Sequence, residues 1–215
     1  MQPQKLTLLR LQKEEASLDR EPIPNSLVRR EGQLKFHFCL HGLEGPYEGG
    51  YYHGMLELHQ NYPFNAPKLF FYTPNGRFDL NMPICTSFTN YHQESWSSAW
   101  NVRSLILATI SFMYSEEPSY GCRRDSERKR KEYAKNSLNF NLTGNHNFKE
   151  LFGEGLRKMG VLDERLQPVQ PAGPMEEEKK EEPDHASVEI NADSSGNESY
   201  FDDESPSDSE DGNDI

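Results

Sequence analysis

Residues 61–121 read NYPFNAPKLFFYTPNGRFDLNMPICTSFTNYHQESWSSAWNVRSLILATISFMYSEEPSYG, and they contain both strand and helix patterns. It contains a single cysteine, Cys85, which lies in a long segment without hydrophobic periodicity. Strands and proline-rich turns are indicated before the cysteine, and a strongly apolar helix pattern begins after it at Val102. A lone thiol in a long irregular loop is a candidate nucleophile rather than a packing residue.

The elements around this stretch predict an α+β domain. The hydrophobic pattern predicts helices over residues 5–18, 102–114, 125–138 and 148–159, and strands over residues 34–40, 51–58 and 68–72. Short turns between consecutive strands produce an antiparallel meander, on which the later helices pack. We expect the first of these strands to be half-buried, because apolar residues alternate there with Lys35, His37 and Cys39. In the first helix Leu8, Leu9, Leu11 and Leu18 are expected to form one apolar stripe.

Charge is distributed unevenly along the 215 residues. Residues 163–215 carry 18 acidic and 3 basic side chains, whereas residues 1–162 carry 17 acidic and 20 basic ones. The net charge of −12 therefore belongs to the C-terminal segment and says nothing about what the folded part binds. Few apolar residues and a high like charge cannot offset the entropy of ordering a chain. We therefore predict a folded domain over residues 1–162 and an acidic disordered tail over residues 163–215.

The cysteines and the apolar content of the chain indicate the cellular compartment of the protein. Cys39, Cys85 and Cys122 show no metal-binding spacing and are odd in number, which indicates free thiols in a reducing compartment. The N-terminus lacks the apolar run of a signal peptide, and no run reaches the ~20 apolar residues that span a bilayer. We expect a cytoplasmic protein with no membrane span, no metal site, no cofactor and no nucleic-acid partner.

Several spaced motifs are together similar to the core of a ubiquitin-conjugating enzyme. They are Tyr62-Pro63-Phe64, Pro67, Thr73-Pro74-Asn75, Ile84-Cys85, Trp96 and Ala99. The run Thr73-Pro74-Asn75-Gly76-Arg77-Phe78 resembles the divergent branch whose better-known members are anchored to the endoplasmic reticulum by a C-terminal helix. The resemblance covers roughly residues 5–158. It implies the fold of that family, an antiparallel meander sheet with an N-terminal helix, a central helix and C-terminal helices, and it makes residues 1–162 a catalytic domain.

The resemblance implies a role for Cys85. It would accept the C-terminus of ubiquitin as a thioester from an activating enzyme and, with a ligase, pass it to a substrate lysine. No charged residue lies next to Cys85, and a thiol that must both attack and leave gains little from strong activation. The alternative interpretation is a buried, inert cysteine. A thiol protease is disfavoured, because no Cys/His pair occurs in a recognisable setting.

Two polar residues are candidates to assist the cysteine. The resemblance points to Asn75, whose amide could donate to the oxyanion formed during attack or could hold its own loop through the backbone. His92, seven residues after Cys85, is a candidate general base, since an imidazole accepts a proton near neutral pH. As a base it would suit serine and threonine acceptors as well as lysine, an activity associated with the branch. The alternative is an ordinary exposed loop histidine.

The chain departs from the usual family pattern in several places. Thr73 stands where a histidine usually precedes Pro-Asn. The run Glu116-Glu117-Pro118-Ser119-Tyr120-Gly121 replaces the segment that usually supplies an acid to the incoming lysine, so no acid is assigned.

Docking of other proteins is expected at three places. The family's activating enzyme and ligases dock on the first helix, which implicates Lys5. The resemblance places the two ligase-docking loops at Phe64 and at Ser98-Ala99. An exposed aromatic side chain beside small residues is typical of a binding hot spot. Trp96 and Trp100 are interpreted as core supports.

Other functions stay open on the sequence alone. A catalytically silent adaptor that binds ubiquitin or ligases is the main alternative, and the retained Cys85 argues against it. The modifier could be ubiquitin or a relative such as SUMO or NEDD8, and the branch favours ubiquitin. The branch also implies endoplasmic-reticulum-associated protein degradation, with a nuclear location or recruitment to the reticulum surface as options. We interpret the tail as solubilising, with phosphorylation near Ser205 or contact with basic residues around Arg123 and Arg128 as alternatives.

Overall fold

Four α-helices and four strands make up the part of the chain described by the structure, a computed structural model that covers residues 4–144 and 147–169. In chain order they are α1 (Lys5–Arg20), β1 (Ser26–Glu31), β2 (Lys35–Leu40), β3 (Tyr52–Glu57), β4 (Lys68–Phe71), α2 (Val102–Tyr114), α3 (Glu127–Gly144) and α4 (Phe148–Lys158). Short 3-10 turns lie at Gly45–Tyr47 and Asn90–Ser95. The predicted α+β class is confirmed.

The sheet is the predicted antiparallel meander, in the order β1-β2-β3-β4, but it contains a strand that the sequence analysis missed. This strand, β1, reads SLVRRE and shows no clear apolar alternation. Its Arg30 pairs with Glu15 of α1 at 3.0 Å and lies 5.8 Å from the centre of the Phe36 ring. The arginine stem and its ion pair therefore take the place of an apolar side chain at this edge.

The central helix α2 packs its apolar side against the inner face of the sheet, as predicted. Val102, Leu105, Ile106 and Met113 are fully buried. The helix begins with a reciprocal cap, in which the side chain of Asn101 accepts from the Ser104 amide at 2.9 Å and the Ser104 hydroxyl accepts from the Asn101 amide at 3.0 Å. This cap fixes the point at which the long loop after Cys85 ends.

Helix α1 buries a narrower stripe than predicted. Leu11 and Leu18 are buried, but Leu9 is 46% exposed, so its predicted place in the stripe is wrong. The position three residues after Leu11 is instead the buried Glu14, whose carboxylate accepts from the Tyr62 hydroxyl at 2.9 Å and from the Val102 amide at 2.8 Å. The buried face of α1 therefore includes a charged residue, because the hydrogen bonds of Glu14 compensate for its burial.

The outer face of the sheet is more buried than the sequence predicts. His37 and Cys39 were expected on a solvated face, but they are 5% and 0% exposed. Helix α4 covers Cys39, since Phe148, Phe152 and Leu156 form a second apolar cluster with it, and His37 lies 2.9 Å from the ring of His53. His53 also lies in this layer, with its ring centre 5.4 Å from that of Phe152.

A short turn follows α4 beyond the predicted domain boundary at residue 162. The Asp163 carboxylate accepts from the amides of Arg165 and Gln167 at 2.8 and 2.9 Å, and the Val169 amide donates to the Val161 carbonyl at 3.0 Å. The rest of the predicted tail, residues 170–215, lies outside the described residues. Within the described ranges, no helix combines the length and the apolar character that crossing a membrane requires.

Candidate active site

Cys85 is held by its backbone between two parts of the fold. The preceding residue, Ile84, donates its amide to the carbonyl of Leu69 on β4 at 2.9 Å. The Cys85 amide donates to the Tyr120 carbonyl at 3.0 Å, and the Cys85 carbonyl accepts from the Ser119 hydroxyl at 2.7 Å. These bonds fix the main chain on both sides of the thiol, which remains only partly buried.

The thiol opens onto a cleft of about 250 Å³. Its walls come from the segment after the cysteine, from the end of α2 and from the loop between α2 and α3, and comprise Thr86, Ser87, Phe88, His92, Phe112, Glu117, Pro118 and Ser119. A larger cavity of about 700 Å³ lies at one end of the sheet, and no cysteine lines it. The smaller cleft is therefore the place where covalent chemistry on a thiol could occur.

The other two cysteines are in environments that disfavour the thiolate. Burial raises the pKa of the Cys39 thiol. Burial also raises the pKa of Cys122, although the positive charge of Arg77 acts in the opposite direction. Because the thiolate is the nucleophilic form, these two residues are poor candidates for covalent catalysis.

His92 lies beside the thiol in an arrangement suited to accepting a proton. Its Nε2 atom is 3.3 Å from the Cys85 Sγ, and its Nδ1 atom is 2.9 Å from the Glu94 carboxylate. An ionised carboxylate can only accept, so in the neutral imidazole Nδ1 carries the hydrogen and Nε2 is left as the acceptor facing the cleft. The pKa of the Glu94 carboxyl is lowered, first by a hydrogen bond from the backbone amide of Glu94 itself and then by the hydrogen bond with His92.

Asn75 is fully buried and is not among the residues that line the cleft. Its side-chain oxygen accepts from the amides of Arg77 and Phe78, both at 2.8 Å, and its Nδ2 donates to the Thr73 carbonyl at 2.9 Å. These bonds correspond to the loop-holding alternative. The Thr73 side chain, which stands where the family usually has histidine, bonds to the His53 amide at 2.9 Å.

The predicted docking residues lie on one connected surface. Phe64 is 64% exposed, and Lys5, Ser98 and Ala99 are exposed as well. The loop that carries Phe64 is joined to the loop before Ser98 because the Trp96 indole donates to the Pro63 carbonyl at 2.8 Å.

The start of α1 adjoins the same surface. The Thr7 hydroxyl donates to the Tyr62 carbonyl at 2.7 Å, and the side chain of Leu6 is 67% exposed. The sequence analysis did not single out Leu6 or predict the exposure of Leu9, and both are exposed apolar residues of the same helix.

Sequence reasoning missed two acidic residues of the site. Glu117 lines the Cys85 cleft, and Glu94 orients His92. Glu117 had a signal, since it lies in the run that replaces the family's acid-supplying segment, but its place at the cleft depends on how that loop packs. Glu94 had a weak signal, since it lies only two residues after the candidate base. Among residues 4–144 and 147–169, no group of three or more His, Cys, Asp or Glu side chains is placed to hold a metal ion.

Comparisons with known proteins bear on the family to which the chain belongs. The model of the ubiquitin-conjugating enzyme family matches residues 10–143. The chain is 37% identical over 152 residues to ubiquitin-conjugating enzyme E2 6 of Schizosaccharomyces pombe, which covers 69% of this chain and 67% of that protein. It is 39% identical over 135 residues to ubiquitin-conjugating enzyme E2 J2 of Mus musculus, which covers 62% of this chain and 49% of that protein.

These alignments therefore span between about half and two thirds of the curated relatives' own lengths. Among solved structures, the chain is similar to a Plasmodium yoelii protein assigned as a ubiquitin conjugating enzyme, with a TM-score of 0.52 and 22% identity. That likeness covers 64% of this chain and 97% of the other, and at this identity it shows the shared fold alone.

Proposed function

Because the chain belongs to the ubiquitin-conjugating enzyme family, we propose that it carries ubiquitin as a thioester on Cys85. In charging, the Cys85 thiolate attacks the thioester carbonyl that links ubiquitin to the activating enzyme. A new carbon–sulfur bond forms, and the cysteine of the activating enzyme leaves as a thiolate. The observation that carries the proposal is the position of the Cys85 thiol in an open cleft, 3.3 Å from the His92 Nε2.

Incubation of the purified protein with activating enzyme, ATP and ubiquitin tests the proposal directly. We expect an adduct that a thiol reductant removes. Absence of any adduct, with ubiquitin or with its relatives, would leave the silent adaptor as the better account.

We propose that discharge proceeds in the same cleft. An acceptor amine or hydroxyl attacks the thioester carbonyl, a C–N or C–O bond forms, and the Cys85 sulfur leaves as a thiolate. The proton of the acceptor passes to the Nε2 of His92, which Glu94 holds in the required orientation. A hydroxyl is the weaker nucleophile and depends more on this base than an amine does. Asn75 is proposed to support both steps by holding the turn that follows β4.

Substitution of His92 by glutamine should separate the two kinds of acceptor. We expect discharge onto free serine to fall by roughly 100-fold, the size of a typical general-base contribution, and discharge onto free lysine to fall much less. The measurement is the loss of the preformed thioester over time, followed on non-reducing gels with each amino acid in excess.

The matched control is His59→Gln, since His59 is also exposed and lies away from the Cys85 cleft. It should discharge like the wild type onto both acceptors. Equal losses with serine and lysine in the His92 variant would contradict the proposed base for hydroxyls. Unchanged rates would mean that His92 is only an exposed loop residue.

We propose that ligases and the activating enzyme dock on the surface that includes Lys5, Phe64, Ser98 and Ala99. Its support is the connected, exposed arrangement of these residues around an aromatic side chain. Exposed aromatic residues near small ones often dominate the binding energy of an interface.

Substitution of Phe64 by alanine should therefore weaken ligase-dependent discharge. The loss of one hot-spot side chain corresponds to a decrease of at least roughly 30-fold in affinity. We would measure discharge onto lysine with and without a ligase domain that stimulates the wild type. Met159→Ala, at an exposed apolar residue after α4, is the control. Loss of ligase-independent discharge in the Phe64 variant would contradict a docking role.

On the branch resemblance alone we propose endoplasmic-reticulum-associated protein degradation as the process, with ubiquitin as the modifier. The cytoplasm, with recruitment to the reticulum surface or the nucleus, is the corresponding proposed location. The division into a catalytic domain over residues 1–162 and an acidic tail over residues 163–215 stays a prediction.

A further inference from the structure

Arg77 is a buried cation that forms no direct ion pair in the part of the chain that the structure describes, although the Glu116 carboxylate attracts it at longer range. Its side chain is 0% exposed. Its guanidinium carbon lies 4.8 Å from the centre of the Phe112 ring and 5.3 Å from that of Phe78. Its Nη2 donates a hydrogen bond to the Glu117 carbonyl, at 2.8 Å.

This environment compensates poorly for the burial of a charge. Within the described residues Nε and Nη1 of Arg77 have no hydrogen-bond partner, and the nearby Cys122 sulfur is at best a weak acceptor. Two aromatic faces and one neutral carbonyl provide some stabilisation, but the nearby Glu116 carboxylate is hydrogen-bonded to Arg130 rather than to Arg77. Buried polar groups that lack hydrogen-bond partners are rare in folded proteins, and they occur most often at functional sites.

The contacts of Arg77 connect Asn75 to the wall of the Cys85 cleft. The side-chain oxygen of Asn75 accepts from the Arg77 amide, so the position of Arg77 is fixed from the turn after β4. Its guanidinium then holds the carbonyl of Glu117, a residue that lines the cleft. Two residues further on, the Ser119 hydroxyl donates to the Cys85 carbonyl. A continuous set of bonds thus runs from a buried turn to the nucleophile.

Two other arginines hold the same loop from the outside. Arg130 makes two hydrogen bonds to the Glu116 carboxylate, at 2.6 and 3.3 Å, and Arg124 donates to the Glu116 carbonyl. These two contacts fix Glu116 from α3 and from the segment that precedes it. Of the three arginines, Arg77 is the one that donates a hydrogen bond to Glu117, the residue that lines the cleft.

We propose that Arg77 is a positioning residue for the transfer reaction, which holds the Glu117–Ser119 wall against Cys85 and so shapes the space that the acceptor enters. This rests on the proposed transfer from Cys85. Charging requires an accessible thiol, whereas discharge requires the acceptor atom to reach the thioester carbonyl in the correct geometry. Loss of Arg77 therefore reduces discharge more than charging.

The test uses Arg77→Met in the full chain, with Arg128→Met as the matched control. Methionine is similar in length to the arginine stem, and replacing a poorly paired buried ion by an apolar side chain is often neutral or stabilising. We expect the melting temperature to be unchanged or higher and charging to be near normal. Discharge onto free lysine and serine should fall by roughly 10- to 100-fold, as for a misplaced catalytic geometry. Arg128, exposed on α3, should tolerate the change in all three assays.

The outcomes separate this inference from the proposed function. Failure of the wild type to charge contradicts the proposed function itself. A wild type that charges, with an Arg77→Met variant that is stable and discharges normally, overturns the positioning role. A lower melting temperature with proportional losses of charging and discharge also overturns it, because that pattern is purely structural. If the methionine variant does not fold, Arg77→Lys, which keeps the charge but not the planar donor geometry, is judged by the same comparison.

Discussion

Replacement of Cys85 by serine is expected to abolish the thiol-sensitive ubiquitin adduct. The hydroxyl can form only an oxygen ester, which a thiol reductant does not remove, or no adduct at all. Discharge onto lysine should fall by at least roughly 1,000-fold, in line with the loss of other covalent nucleophiles. Non-reducing and reducing gels of the same charging reaction distinguish the thioester, the oxygen ester and the uncharged protein. Titration with the acceptor then measures the discharge rate.

Cys122→Ser provides the matched control for this experiment. Cys122 is also partly buried, but it does not line the cleft. We expect this variant to charge at close to the wild-type rate and its adduct to remain thiol-sensitive. A thiol-sensitive adduct that persists in Cys85→Ser and disappears in Cys122→Ser would move the carrier role to the other cysteine.

Replacement of Asn75 by alanine is expected to impair both stability and transfer. The change leaves the buried amides of Arg77 and Phe78 without an acceptor, and each such group costs about 1–3 kcal/mol. The melting temperature should therefore fall by at least about 4 °C for a domain of this size. Discharge should fall further than stability alone explains, because Arg77 would no longer be held in place. Thermal unfolding and single-turnover discharge of the same preparation measure the two effects.

A second variant at this position distinguishes the two roles proposed for Asn75. Aspartate can still accept from both amides but cannot donate a hydrogen bond to an oxyanion. We expect Asn75→Asp to recover part of the stability and part of the discharge rate that Asn75→Ala loses. Recovery of stability with no recovery of discharge would contradict the loop-holding role and favour the oxyanion donor.

Local pattern predicted most of the elements, and the exceptions have identifiable causes. Helix α2 was predictable because its apolar residues are dense and Asn101 provides a cap at its start. Strand β1 was missed because Arg30 replaces an apolar side chain and depends on Glu15 and Phe36 from other elements. The burial of Cys39 was missed because it depends on α4, which is distant in sequence.

The sequence alone determined the family, the α+β class and the candidate nucleophile, because these follow from residue types at short, fixed spacings. The exposure of Phe64 could also be predicted from the sequence, because a turn places that side chain outward. The packed structure was needed to show that His92 lies 3.3 Å from the Cys85 sulfur, that Asn75 is buried in its own turn, and that Glu117 lines the cleft. These facts depend on how the loops after β4 and α2 pack against each other, and side chains far apart in sequence meet only when that packing forms.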